Sequence, residues 1–348
     1  MKRIMQSLIC LAVLGTVAAD AQAPAPEVRK PVKTSKPGAV GTALVVFSND
    51  GKYIATAPDG DGVFRLWDAK TLSVKKALGD VKNVLKYAIA FSPDSSLVAA
   101  GVGDEIHVWE TATYTLVKKF TAHKNARIQS LGFTPDGRFL VSTGSDTDPG
   151  KRGCVWSTDT WSLKHHLGYD YGHLWLRSAS ISPDGRFVVV GGGSDASKDH
   201  HALVYDIRSG QKVRELAVFI KANDKFQDGM INNVAYSPSG DQIAVITQSR
   251  ILGFDAESGE QQFRINKSFH ISFQYLRYSP DGKYCAALHK AGRDYCVHII
   301  DARSGSIVRT FVASAGDKRY YYNLAFTHDG KLLALVGTKA TIDFYEWR

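Results

Sequence analysis

Two adjacent histidine pairs, His165-His166 and His200-His201, and three cysteines, Cys154, Cys285 and Cys296, are the side chains here whose types could hold a metal or act as nucleophiles. The spacing argues against either pair sharing one ion, because adjacent residues of a strand point to opposite faces. Cys285 and Cys296 flank a turn near Ala291-Gly292. They bridge only if the hairpin register pairs them, and otherwise stay as buried thiols. Cys154 is unpaired in either case. No glycine-rich phosphate loop, nucleophile elbow or His-Glu-x-x-His motif occurs. The sequence therefore names no catalytic residue, no cofactor and no metal ligand.

Mixed aromatic and basic side chains are what the sequence offers for binding. Lys151, Arg152, Tyr169, Tyr171, His173, Trp175, Arg177, His200, His201, Lys225, Phe226, His270, Lys318, Arg319 and Tyr320 fall in segments of variable length, 144–153, 168–177, 191–201, 221–233, 266–274 and 314–322. Rings supply rigid contact area, and cations orient acidic groups. Such residues suit a partner protein, a peptide or an acidic glycan.

The elements that must carry these segments repeat. Val46-Phe47-Ser48-Asn49-Asp50-Gly51 recurs as Ala90-Phe91-Ser92-Pro93-Asp94, Gly132-Phe133-Thr134-Pro135-Asp136-Gly137 and Ser180-Ile181-Ser182-Pro183-Asp184-Gly185. It returns as Ala235-Tyr236-Ser237-Pro238-Ser239-Gly240, Arg277-Tyr278-Ser279-Pro280-Asp281-Gly282 and Ala325-Phe326-Thr327-His328-Asp329-Gly330. Steps between successive Ser/Thr positions are 44, 42, 48, 55, 42 and 48 residues. The hydroxyl is expected to bond the backbone two residues on, proline fixes φ, and glycine closes the hairpin from the left-handed region. Apolar strands follow, then a ring or aliphatic residue usually followed by an acid: Trp67-Asp68, Trp109-Glu110, Trp156-Ser157, Tyr205-Asp206, Phe254-Asp255, Ile300-Asp301 and Tyr345-Glu346. A second turn, Asp-x-x-Ser-Gly, begins at Asp206, Asp255 and Asp301. Each unit thus reads as four short strands with no room for a helix.

Over residues 41–348 these motifs resemble the WD40 repeat family. The resemblance implies an all-β fold, a seven-bladed β-propeller of four-stranded antiparallel blades. It also implies that the variable segments share one face, formed by the connections between blades and between the second and third strands of each blade. The family's His–Ser/Thr–Asp–Trp set is approached only in the third unit, by His123, Ser142 or Thr143, Asp146 and Trp156. Most blades must therefore be held by apolar packing. Enzymes on related scaffolds carry boxes that fail here: Gly follows Asp directly in the first turn, and Arg214, Arg264 and Arg309 stand where a closing Trp is needed in the second. The reading is a non-catalytic interaction or scaffold module, with a hydrolase or lactonase at the central channel as the alternative.

The ends carry separate information. Lys2-Arg3, an apolar run from Ile4 to Val17 and Ala19-Asp20-Ala21 read as an export signal over residues 1–21, cut after Ala21 or Ala23 and taking Cys10 with it. The run is too short to span a bilayer. Export, to a periplasmic or secreted destination, together with the divergence of the repeats, resembles a bacterial branch of the family. Residues 22–40 form a Pro/Lys-rich leader, and Val28–Ser35 is the candidate for the closing outer strand of the last blade. The formal charge of +9 favours anionic partners. No nucleic-acid-binding motif accompanies it, and no stable membrane span is expected after cleavage.

Overall fold

The computed structural model describes residues 26–35, 41–59, 63–80, 88–146, 148–168, 175–193, 201–218, 230–266, 271–313, 320–338 and 341–348. Residues 1–21, read above as an export signal, and Cys10 within them lie outside the described residues. Apart from one 3-10 turn at Pro149–Lys151, their regular structure is β.

Seven antiparallel sheets stand in a ring, and each runs from an inner to an outer strand. The first is Gly41–Phe47, Tyr53–Asp59, Val63–Asp68 and Val74–Asp80; the second is Ile89–Phe91, Leu97–Val102, Glu105–Glu110 and Leu116–Thr121. The third is Ile128–Phe133, Phe139–Gly144, Gly153–Ser157 and Leu163–Leu167; the fourth is Trp175–Ile181, Phe187–Gly193, His201–Asp206 and Lys212–Ala217. The fifth is Ile231–Tyr236, Gln242–Thr247, Arg250–Asp255 and Gln261–Asn266; the sixth is Ile271–Tyr278, Tyr284–Ala291, Asp294–Asp301 and Ile307–Val312. The seventh takes Tyr321–Phe326, Leu332–Gly337 and Ile342–Glu346 from the C-terminal end, and Lys33–Thr34 as its outer strand.

Alternation along each strand sends apolar side chains to both faces of a sheet, so each sheet needs an apolar neighbour on either side. Seven buried clusters meet that need, and each straddles one blade boundary. Val45, Ile54 and Trp67 of the first blade pack on Ala334, Val336 and Phe344 of the seventh, which closes the circle. Each buried Val or Leu contributes about 1.5–3 kcal/mol, so packing dominates over polar ties.

The short turns work differently from the sequence expectation. Ser48 Oγ donates to Asp50 Oδ1 at 2.7 Å and accepts from the Tyr53 amide at 2.9 Å, five residues on rather than two. Thr134, Ser182, Ser279 and Thr327 accept from the fifth amide in the same way. In the fifth blade Ser239 replaces the acid, and Asp241 receives the Ser237 hydroxyl instead, at 2.8 Å. Neighbouring turns also touch. A Cβ on Gly185, whose φ is +71°, would lie 3.2 Å from Pro135 of the preceding blade, and Gly330 faces Pro280 at 3.4 Å. His328 stands in the proline position of the seventh blade and faces Gly51 of the first at 3.4 Å, so the contact series continues across the closure.

The third blade's polar set is built around Ser142. Its Oγ accepts from Trp156 Nε1 at 2.9 Å and lies 2.9 Å from His123 Nε2. Burial holds the His123 imidazole down at about 4, against the opposing pull of nearby Asp146. In the first blade, Trp67 Nε1 donates to Thr56 Oγ1 at 2.8 Å.

The N-terminal segment spans two blades. Lys33 and Thr34 pair antiparallel with Phe344 and Asp343, while Glu27 and Val28 pair parallel with Phe311 and Val312, adding a fifth strand to the sixth blade. Arg29 lies over the Phe311 ring at 5.6 Å and donates to the Glu346 carbonyl. The register pairs Cys296 with His289 and Cys285 with Ile300, so the two cysteines do not meet. Cys154, Cys285 and Cys296 are all buried.

Candidate interaction face and central channel

Inner strands of neighbouring blades are tied by side chains that line the channel. Ser130 Oγ accepts from the Ala179 amide at 3.3 Å, and Ser180 Oγ accepts from the Tyr236 amide at 3.0 Å. Ser178 Oγ accepts from Asn233 Nδ2 at 3.0 Å and from the Val234 amide at 3.2 Å. Asn233 Oδ1 in turn accepts from the Leu276 amide at 3.2 Å. These bonds hold the inner wall rigid from the third blade to the sixth.

At the long-loop end of that wall, six inner strands carry the same irregularity. The register slips between Thr42 and Leu44, Ile128 and Ser130, Leu176 and Ser178, Ile231 and Asn233, Phe273 and Tyr275, and Tyr321 and Asn323. Each slip inserts one residue: Ala43, Gln129, Arg177, Asn232, Gln274 and Tyr322. A bulge leaves its extra residue out of the ladder and re-aims the side chain. The repeated bulge therefore puts Gln129, Arg177, Asn232, Gln274 and Tyr322 at equivalent positions near the start of their inner strands.

Two aromatic anchors stand on the same face. Trp175 is 51% exposed and Tyr320 is 47% exposed, each at the entry to an inner strand. Arg177 lies 5.8 Å from the Trp175 ring centroid. Lys290 Nζ lies 5.8 Å from the Tyr320 centroid, and Tyr295 meets Tyr320 edge-on at 6.0 Å. Lys151 is exposed and pairs with Asp148 at 3.0 Å. Both features, a ring with a cation beside it, match the composition of contact centres in protein interfaces.

Other candidates serve the blade. Arg152 is 2% exposed, and its Nε donates to the Asp146 carbonyl at 2.9 Å, so it braces its own loop. His201 is buried against Glu215, with 2.9 Å between Nδ1 and Oε1. His165 Nε2 lies 2.6 Å from the Arg208 carbonyl, and His166 Nδ1 lies 3.5 Å from Cys154 Sγ. Tyr169, Tyr171, His173, His200, Lys225, Phe226, His270, Lys318 and Arg319 lie outside the described residues. Sequence reasoning missed Lys290 and Tyr295, which flank a short hairpin that loop length does not flag. It also missed Gln129, Asn232, Gln274 and Tyr322, because a one-residue bulge at a strand's start leaves no compositional mark.

Among the described residues, no group of three His, Cys, Asp or Glu side chains could hold a metal ion. No helix there is long and apolar enough to cross a membrane.

Residues 30–68, 114–148 and 161–206 match the model of the WD domain, G-beta repeat. The chain carries WD40 repeats. Each matched stretch begins at an outer strand or just ahead of one and continues into the next blade, so the WD40 unit of sequence is offset from the blade. The match at residue 30 accordingly takes in Lys33–Thr34, the outer strand of the seventh blade. The chain is 24% identical over 324 residues to human Transducin beta-like protein 2, covering 86% of this chain and 68% of that protein. It is 23% identical over 263 residues to the LST8 homolog of Drosophila melanogaster, covering 72% and 77%. It is 24% identical over 185 residues to Protein HIR1 of Eremothecium gossypii, covering 47% of this chain and only 22% of that protein. All three are eukaryotic proteins.

Proposed function

We propose that this protein is a non-catalytic interaction module whose long-loop face grips a partner protein or peptide. The WD40 likeness supports protein binding as the general role. The observation that carries the particular face is the pairing of exposed rings with cations, Trp175 with Arg177 and Tyr320 with Lys290. A rigid polar rim between two aromatic anchors suits an extended segment with acidic side chains: the rings fill its apolar positions, and the cations meet its carboxylates.

The module works outside the cytoplasm, as an exported periplasmic or secreted protein. This rests on the basic start, apolar run and small-x-small site of residues 1–21. Origin in a bacterial branch of the family rests on the same leader and on the divergence of the repeats. Residues 22–40 serve as a leader that supplies the closing outer strand of the propeller built from 41–348.

The test is affinity capture from an envelope fraction with wild-type protein and with a variant in which Lys151, Arg177, Lys290 and Tyr320 become Glu, Glu, Glu and Ala. Loss of one defined protein from the variant lane supports the reading. Identical captured sets refute it, and capture of an acidic glycan alone would replace the protein partner.

A further inference from the structure

A second site lies at the opposite end of the channel. An open cavity of about 420 Å³ is formed where the inner strands of the third to sixth blades run into their short turns. Phe133, Ile181, Tyr236 and Tyr278 supply apolar wall, and Pro183 and Pro238 form the lip. Arg277 is the single charged residue in the lining.

The Arg277 guanidinium is fixed by neutral groups. Its Nη1 donates to the Leu276 carbonyl at 2.9 Å and to Asn233 Oδ1 at 3.3 Å, and its Nη2 donates to Tyr275 Oη at 2.8 Å. The group also lies over the Tyr275 ring, 4.3 Å from its centroid. No carboxylate among the described residues pairs with it. Its charge is therefore held in a set orientation with no ion pair to a described carboxylate. Ser180 adds a second feature: its Oγ accepts from the Tyr236 amide at 3.0 Å, and no described residue receives its hydroxyl hydrogen.

An oriented cation and a spare donor above apolar walls make a receptor for one anionic group on an apolar body. Carboxylates in the adjoining turns limit the charge that can enter. Asp136, Asp184, Asp241 and Asp281 each receive their own turn's hydroxyl and remain anions near the lip. They repel a polyanion, whereas a single carboxylate can pass them and pair with Arg277.

The geometry points to a binding site for small monocarboxylates with an aromatic or branched apolar body, seated between Arg277, Ser180 and the Phe133–Tyr236 wall. It is separate from the long-loop face, so neither site's failure bears on the other.

The experiment titrates full-length protein with benzoate and 3-phenylpropanoate, and in parallel with benzamide and 3-phenylpropanamide, their uncharged counterparts. Calorimetry should show one carboxylate per chain with a Kd of about 1 mM or tighter, and amides at least about tenfold weaker. Amide resonances that shift should cluster at residues 132–133, 179–182, 234–237 and 277–278. Arg277→Met should weaken the carboxylate at least about tenfold, and Arg277→Lys, which keeps the charge but loses the fork, should fall between. Should Arg277→Met fail to fold, the shift map on the unaltered protein decides. Equal binding of acid and amide, shifts centred elsewhere, or no saturable binding overturns the assignment.

Discussion

Thr34 Oγ1 donates to Asp343 Oδ1 at 2.8 Å, joining residues 309 positions apart. Asp343 is fully buried, and its other oxygen receives the Tyr321 hydroxyl at 2.8 Å. The carboxylate of the last blade is thus solvated in part by the N-terminal strand. Replacing Thr34 by Val should cost about 1 kcal/mol. A chain starting at residue 39 should lose on the order of 3 kcal/mol, because it exposes a sheet edge and strips the buried Asp343 side chain of a hydrogen-bond donor. Urea unfolding measures both, and an unchanged midpoint for the truncated chain would contradict the account.

Acid should destabilise the propeller well before its turn carboxylates titrate. His298 is fully buried, stacked 4.1 Å from His289 and 2.7 Å from Thr310 Oγ1. Burial lowers its folded pKa to about 4, does the same for His123, and drives His289 down as well. An unfolded chain binds these protons from about pH 6.5 downward while the folded one refuses them. Stability is therefore complete above 6.5 and falls as pH drops toward 4, by roughly 3 kcal/mol for each of His298 and His123. Chemical denaturation between pH 7 and 4.5 should show this slope, and His298→Leu should reduce it. A flat profile would rule the mechanism out.

Phe263 covers two glycines at once. A Cβ on Gly253 would sit 2.1 Å from its Cε1, and one on Gly305 would sit 2.5 Å from its Cγ. Gly253→Ala should cost about 1–3 kcal/mol through overpacking. Combining it with Phe263→Leu should cost less than the sum of the two single changes, since the smaller side chain vacates the clash. Strict additivity in a double-mutant cycle would refute the contact.

Trp175→Ala and Tyr320→Ala remove exposed rings. Each should change stability by no more than about 0.5 kcal/mol, yet weaken capture of the partner by about tenfold or more. Circular dichroism melts and a binding titration separate the two readouts. A drop in melting temperature with undiminished binding would assign the rings to packing.

Cys154, Cys285 and Cys296 should resist thiol reagents in the native state and react once the chain is denatured. Burial pushes the Cys154 thiol up to about 12 and raises Cys285 as well, so neither forms a thiolate at neutral pH. Native labelling at any of the three would contradict their placement.

Blade number was legible because each unit repeats the same backbone requirement. A residue at positive φ closes every first turn, and Gly51, Gly137, Gly185, Gly240, Gly282 and Gly330 mark six of the seven, with Ser95 at φ 62° in the other. The third blade's Trp156 and His123 were readable for the same reason, since rings that need a hydroxyl partner are few. Other features left no such mark. The parallel pairing of Glu27–Val28 uses two exposed residues and an ion pair, Glu27 with Arg309 at 3.7 Å, too little side-chain pattern to announce it. Arg152 and Lys151 are neighbours of like charge, and only the fold turns one inward and the other out. The Arg277 cavity draws residues from four blades, a convergence that linear spacing does not encode.

The same N-terminal strand also sets an order of events during synthesis. Residues 26–35 leave the ribosome long before the strands they pair with, Ile307–Val312 and Ile342–Glu346. Until then the earliest segment has no partner, and the growing ring ends in two open edges. Assembly of the circle therefore waits for Ile342–Glu346, and any holding factor must keep residues 26–35 unpaired until that strand is made.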